Sequence, residues 1–329
     1  MRVLMSFCNV GLYNSQFSLA LLDLSLPDPV ALVDCAGFID PDSDSGVTGL
    51  VRLGDGGLAL AVQSGQPRVV FLNADLSLRR VVRSERFADL HSLHERDGFL
   101  FCCSSGNNKI LKIALGDYAV SLFWEYPIDE PFLHINSLAF VGERALACSH
   151  KIPPETGTAS GGCWFLDDFD VLIPGLKQPH TVTSAGEAVW CLSSHDEQIA
   201  VWRGGEVTAR PLKGYLRGLM FEGDQVLVGC SSRRFVSRKR KGVQRYADFA
   251  EVIGNPAYMS SLAVCGTDLE ERARAGTTTV GFESYDLIAD PGVPETLLRR
   301  PAAPVRMQTM QRQLIATREL LAKAREGAA

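Results

Sequence analysis

Residues 177–211, KQPHTVTSAGEAVWCLSSHDEQIAVWRGGEVTARP, hold four short β-type runs back to back. His180-Thr181-Val182 opens the first, Gly186-Glu187 turns it, and Ala188 to Ser193 returns. Ser194 to Glu197 makes a second turn, and Ile199 to Trp202 and Val207 to Ala209 flank Gly204-Gly205. Apolar runs of this length, closed by Gly, Ser and Asp clusters, read as successive antiparallel strands.

The unit recurs along the chain at a period of roughly 40 to 45 residues, the size of a four-stranded propeller blade. The returning strands are Val3 to Cys8, Leu58 to Ser64, Phe99 to Ser104, Arg144 to Ser149, Val189 to Ser193 and Val226 to Ser231. Before each, across a Gly or Asp turn, lies a triplet of the form x-small-apolar: Thr48-Gly49-Leu50, His91-Ser92-Leu93, Asn136-Ser137-Leu138, His180-Thr181-Val182 and Arg217-Gly218-Leu219. The first copy lacks its triplet, and Tyr285-Asp286-Leu287 near the end has the matching form. The expectation is an all-β, six-bladed β-propeller over residues 1–300, closed by a C-terminal strand so that no sheet edge is left open. Insertions fall between second and third strands at Lys151 to Ser160 and at about 233–257.

The second insertion is cationic. Arg233, Arg234, Arg238, Lys239, Arg240, Lys241 and Arg245 come without an acidic residue, and removing these seven would take the net charge from -5 to -12. Such a run is either a solvated loop or a device that steers an anionic ligand. Nucleic acid is disfavoured, because the remaining surface is acidic and little aromatic interleaving supplies base stacking. Residues 301–329 read as a separate element: Met307, Met310, Leu314, Thr317, Leu321 and Ala324 form one apolar stripe on an α-helix that packs on the propeller or pairs with a second copy into a homo-oligomer.

With 46% hydrophobic and 22% charged residues, composition is that of a globular protein. No run reaches the roughly 18 apolar residues of a membrane span, and the start lacks a sustained apolar leader, so a cytoplasmic location with no membrane partner is expected. Nine cysteines without a C-x-x-C pair read as buried thiols.

Strand direction alternates in an up-and-down blade, so inner-strand starts and second-strand ends share one rim. His91, His134 and His180 sit at or just before inner-strand starts, and His150 and His195 just past second-strand ends. The positions Thr48, His91, Asn136, His180, Arg217 and Tyr285 should therefore ring the mouth of the channel, with His134 on the same side two residues before Asn136. Convergent polar groups in a concavity suggest a binding site. His91, His180 and Tyr285 are the candidate catalytic groups; Arg217, Asn136 and Thr48 would bind substrate. His91, His134 and His180 could hold a divalent transition metal, Zn or Fe. No carboxylate occupies a ring position, which disfavours Ca or Mg there. The same residues also admit an architectural reading, as polar groups bonded to neighbouring blades and water.

Pro179-His180-Thr181, Arg217-Gly218-Leu219, Val228-Gly229-Cys230-Ser231 and Tyr285-Asp286-Leu287, in this order, resemble a bacterial family of single-domain β-propellers of unknown function. The likeness covers about residues 1–291. More loosely, the chain is similar to the NHL and gluconolactonase-like six-bladed propellers, whose ligands bind at the channel mouth. It lacks the acidic channel ligands of the metal-dependent lactonases, so calcium-dependent lactone hydrolysis is not implied. WD40 and kelch signatures are absent, as are a G-x-S-x-G elbow, a Walker loop, a G-x-G-x-x-G after a strand and H-E-x-x-H. Two readings stand: an enzyme acting on a small anionic metabolite by histidine acid-base or metal-assisted chemistry (lyase, isomerase or hydrolase), or a non-catalytic propeller that binds a ligand or protein partner on the same face.

Overall fold

A computed structural model describes residues 1–8, 17–40, 42–127, 133–157, 160–231, 234–236, 244–246, 260–277 and 283–299. Among them there is no α-helix, and no helix is long and apolar enough to cross a membrane. The expected C-terminal helix lies outside the described residues, as does most of the cationic insertion.

The protein is a β-propeller built from antiparallel sheets. β1 (Arg2–Cys8), β2 (Leu19–Asp23) and β3 (Val30–Val33) are followed by a sheet of β4 (Asp44–Arg52), β5 (Leu58–Ser64), β6 (Arg68–Leu72) and β7 (Leu78–Arg83). Then come β8 (Leu90–Arg96), β9 (Phe99–Ser104), β10 (Lys109–Ala114) and β11 (Val120–Glu125), and after them β12 (Ile135–Val141), β13 (Arg144–Ser149), β14 (Gly161–Phe165) and β15 (Val171–Leu176). The stretch first read from sequence gives β16 (Pro179–Ala185), β17 (Ala188–Ser193), β18 (Gln198–Arg203) and β19 (Glu206–Pro211). β20 (Tyr215–Glu222) and β21 (Gln225–Ser231) pair on through β24 (Ser261–Gly266) to β25 (Glu271–Gly276). Between β21 and β24 the backbone of β22 (Arg234–Val236) pairs with β23 (Gln244–Tyr246) in a small hairpin within the insertion. β26 (Glu283–Ala289) returns to pair with β1, and β27 (Leu298–Arg299) adds to β3. A single pair, Cys8 with Gly46, joins the β1 and β4 sheets into one continuous nine-stranded array.

Second strands are apolar without alternation because each sheet is covered on both faces. In β5, Leu58, Leu60 and Val62 pack toward β1 and β2, whereas Ala59 and Ala61 pack toward β8 and β9. Adjacent Cys102 and Cys103 likewise enter different core clusters, one on each face of β9. Fourth strands face outward, and β19 is exposed throughout. Val3, Met5 and Phe7 of β1 meet Leu227 and Leu262 of β21 and β24, so the last sheet packs on the first. All nine cysteines are buried free thiols, and burial pushes Cys102, Cys148 and Cys191 well above the ordinary thiol range, which leaves them inert as nucleophiles.

Candidate functional site at the channel mouth

The strands that carry these triplets, β4, β8, β12, β16, β20 and β26, share one irregularity. In each, the x-small pair of the triplet holds one residue more than the facing strand: Thr48 lies between Val47, paired with Val62, and Gly49, paired with Ala61. Asn136, Thr181 and Gly218 are the extra residues of β12, β16 and β20, while His91-Ser92 in β8 and Tyr285-Asp286 in β26 each oppose a single residue. A β-bulge re-aims the side chains beside it. The small middle position follows from packing. A Cβ on Gly49 would collide with the His91 carbonyl oxygen; one on Gly218, at φ +68°, would meet Leu287 Cδ2 at 2.8 Å and Asp286 Cα at 3.0 Å.

Polar residues at the bulges tie sheet to sheet. Asp286 accepts the Leu50 N–H at 3.2 Å, Ser137 Oγ the Val182 N–H at 3.0 Å, and Thr181 Oγ1 the Gly218 N–H at 3.0 Å. Thr48 Oγ1 donates to the Leu90 carbonyl at 2.5 Å and Asn136 Nδ2 to the Pro179 carbonyl at 2.7 Å. Thr48 and Asn136, two of the three residues expected to bind substrate, are thus engaged with the next strand, though Asn136 Oδ1 has no hydrogen-bond partner among the described residues.

The remaining ring residues form a closed circuit of side chains. His91 meets His134 at 5.2 Å between ring centroids, His134 meets His150 at 4.3 Å, His150 meets His180 at 5.5 Å, and His180 meets Tyr215 at 5.5 Å. The Arg217 guanidinium lies 5.2 Å from the Tyr215 ring and 3.9 Å over the Tyr285 ring, and Tyr285 returns to His91 at 6.0 Å. His195 is exposed and outside the circuit, and His94 packs against Phe140 away from it.

Backbone carbonyls set the tautomers of two of these imidazoles. His91 Nδ1 lies 3.1 Å from the Asp89 carbonyl, and His180 Nδ1 lies 2.9 Å from the Gln178 carbonyl and 2.8 Å from Ser194 Oγ. A carbonyl only accepts, and the Ser194 hydroxyl proton is committed to Leu216 O at 2.6 Å, so Nδ1 carries the hydrogen in both rings. Nε2 is then the acceptor nitrogen. Burial, and after it the Arg217 charge, hold the His180 imidazole well below its ordinary range, so this ring is neutral at pH 7.

Arg217 is 4% exposed, and among the described residues it makes no ion pair with a carboxylate and has no hydrogen-bond partner at Nε or Nη1. A buried cation kept unpaired is costly unless something anionic completes it.

Asp89, Gln178, Tyr215 and His150 belong to the site without having been singled out from sequence as ring residues. Three of them share a rule with His134: each stands two residues before a ring position. Asp89, His134 and Gln178 adopt φ of 51°, 53° and 50°, so His134 reaches the ring through a left-handed turn ahead of β12 and not by strand alternation. Gln178 then accepts the Tyr215 hydroxyl at 2.8 Å. Asp89, His91 and His134 bring one ligand atom each to within 4.8 Å of one another. His180, expected in the metal set, is separated from that group by His150. On the opposite rim a cavity of about 630 Å³ is lined by Met1, Leu26, Pro29, Gln225 and Arg274. Its cation is committed to Glu271 at 2.6 Å.

No family model and no curated protein matches the sequence. Among solved structures, the fold is similar to a chain of a nidogen/laminin complex, with a TM-score of 0.57, 9% identity and coverage of 87% of this chain and 97% of that one. It is similar also to regucalcin, a calcium-binding protein from Agrobacterium tumefaciens, with a TM-score of 0.52, 11% identity and coverage of 73% and 76%. At 14% identity, virginiamycin B lyase from Staphylococcus aureus reaches a TM-score of 0.45 over 66% of this chain and 85% of that one. The regucalcin likeness agrees with the gluconolactonase-like architecture expected from the motifs, and extends to fold alone.

Proposed function

We propose that the chain is a six-bladed propeller enzyme whose site at the channel mouth takes a small anionic metabolite, with the anion on Arg217 and proton transfer at the imidazoles. The carrying observation is the buried guanidinium with two unpartnered nitrogens, held against the faces of Tyr285 and Tyr215. The six-blade count is supported by the six core clusters, each lying between one sheet and the next around the ring.

A guanidinium matches a carboxylate or phosphate bidentately and fixes its plane. An anion seated there leaves the acceptor Nε2 of His180, 5.5 Å from Tyr215 by ring centroids, to take a proton from an adjacent hydroxyl or carbon. Neutralising Arg217 also removes the second cause of the low His180 basicity, so ligand binding makes this base stronger. The Tyr285 hydroxyl, on a ring in contact with His91, is the group to return the proton. A lyase, isomerase or hydrolase of a carboxylated or phosphorylated metabolite fits this arrangement; the cations of the insertion that follows β21 in sequence would raise the local anion concentration.

The second reading, a binding propeller without turnover, uses the same anion site. A panel of small carboxylates and phosphate esters, followed by calorimetry for binding and by NMR for conversion, separates them. The enzyme reading expects at least one compound to be converted, with His180→Ala abolishing conversion while binding survives. Binding without conversion across the panel leaves the second reading. Loss of all anion binding as a feature of the wild type overturns both.

A further inference from the structure

We propose that Asp89, His91 and His134 together bind one divalent transition-metal ion beside the anion site, with Arg217 facing it across Tyr285. Two imidazoles and one carboxylate form a mixed nitrogen-oxygen donor set that suits Zn(II) or Fe(II) and leaves coordination positions open for a ligand. Two nitrogen donors argue against Ca or Mg, which take oxygen.

Three observations converge on this group. The candidate ligand atoms lie within 4.8 Å of one another; the Asp89 carboxylate, 42% exposed, lies 3.7 Å from the protonated His91 Nδ1 and would swing past it to share an ion with the acceptor Nε2, at the roughly 3 Å spacing that bonds of about 2 Å impose. Asp89 and His134 both occupy left-handed backbone, at φ 51° and 53°, which is uncommon for residues other than glycine and which brings both side chains to the His91 ring. The Gln63 amide, finally, donates to Asp89 Oδ1 and at 3.1 Å to the Leu90 carbonyl, which holds the carboxylate from outside as orienting partners of metal ligands do. His91 is 5% exposed, so an ion there would sit at the wall of the channel mouth and not on open surface. His150 stacks on His134 at 4.3 Å and stands outside the donor set.

The full chain, freed of any affinity tag and treated with chelator, is titrated with Zn(II) by calorimetry and with Co(II) by its visible absorption. One equivalent should bind, and Zn(II) should raise the melting temperature through linkage. Asp89→Asn and His134→Asn should each weaken binding at least tenfold and abolish the metal-induced shift; asparagine tolerates the left-handed backbone, so these variants keep the fold. His180→Ala should bind Zn(II) within about threefold of wild type. Absence of saturable binding overturns the proposal, as does a His180→Ala loss equal to that of His134→Asn, which would assign the ion to three histidines. Undiminished binding by Asp89→Asn overturns it too. Arg217→Met should retain the metal while losing anion binding, so failure of this site and failure of the anion site read out separately.

Discussion

Arg217 is the residue at which stability and function oppose each other. A buried guanidinium without a carboxylate destabilises the ligand-free fold, whereas a methionine of similar length would fill the same space and pack on the rings of Tyr285 and Tyr215. Arg217→Met is expected to raise the unliganded melting temperature by a few degrees and to lose the further rise that a bound carboxylate or phosphate gives wild type, both read in thermal melts. A lower melting temperature would mean that the cation is satisfied within the fold. Asp286 gives a pH-dependent counterpart: burial pushes its carboxyl up to about 7 although it accepts the N–H groups of Leu50 and Leu287. Between about pH 4 and 7 the folded chain holds a proton there that the unfolded chain releases, so this group's contribution to stability falls as pH rises through that window and levels off above it. Asp286→Asn should remove the slope in denaturant titrations run across that pH range, but at a net loss of stability, because Oδ1 and Oδ2 each accept an N–H group and an amide offers one acceptor oxygen. The ring residues were legible in sequence because they recur at one place in each repeat. Asp89 and Gln178 were not, because a left-handed turn, which strand alternation does not encode, delivers them.

At the scale of the element, the inner strand is an ordinary blade strand with one extra residue, and the two facts have different visibility. The second strands announce themselves, since burial on both faces makes Leu58 to Val62 apolar without a break. The bulges leave a fainter trace, the small middle residue of each triplet, whose cause is the close approach of the next strand. Strict alternation would have turned the x and small residues to opposite faces; the extra residue lets His91, His180, Arg217 and Tyr285 turn toward one another while Ser137, Thr181 and Asp286 bond sideways to the next strand. Gly49→Ala should therefore cost at least about 2 kcal/mol, because its methyl group meets the His91 carbonyl oxygen and neither backbone can withdraw. Gly218→Ala should cost as much, with positive φ added to the contact with Leu287. Chemical denaturation of the two variants measures this directly. Melting equal to wild type would show that neighbouring inner strands slide freely past one another.

For the whole molecule, the strand that the first repeat lacks is supplied from 280 residues away, as the Ser6–Asp286 contact illustrates: Ser6 Oγ accepts the Asp286 N–H at 3.0 Å. This closure was legible because the count of triplets and the count of returning strands differed by one at the start and matched again with Tyr285-Asp286-Leu287. β26 pairs along β1 from Val3 with Ala289 to Cys8 with Glu283, and Leu287 joins the cluster of Val3, Met5, Phe7 and Leu227. Without it, β1 becomes an open edge next to the channel, and the faces of two sheets lose their cover. Each large apolar side chain returned to water costs about 1.5–3 kcal/mol, against a total stability of about 5–15 kcal/mol for a typical domain. A chain ending at Thr277 is accordingly expected to be insoluble or to unfold without a cooperative transition, and a separate peptide spanning residues 278–299, added during refolding, should restore a cooperative melt. The rescue matters as much as the loss, because a strand that closes a ring by pairing needs no covalent continuity with the sheet before it. A soluble fragment ending at Thr277 that melts cooperatively on its own would show that the first sheet stands without its inner strand, and would remove the physical reason for Tyr285 and Arg217 to meet at 3.9 Å.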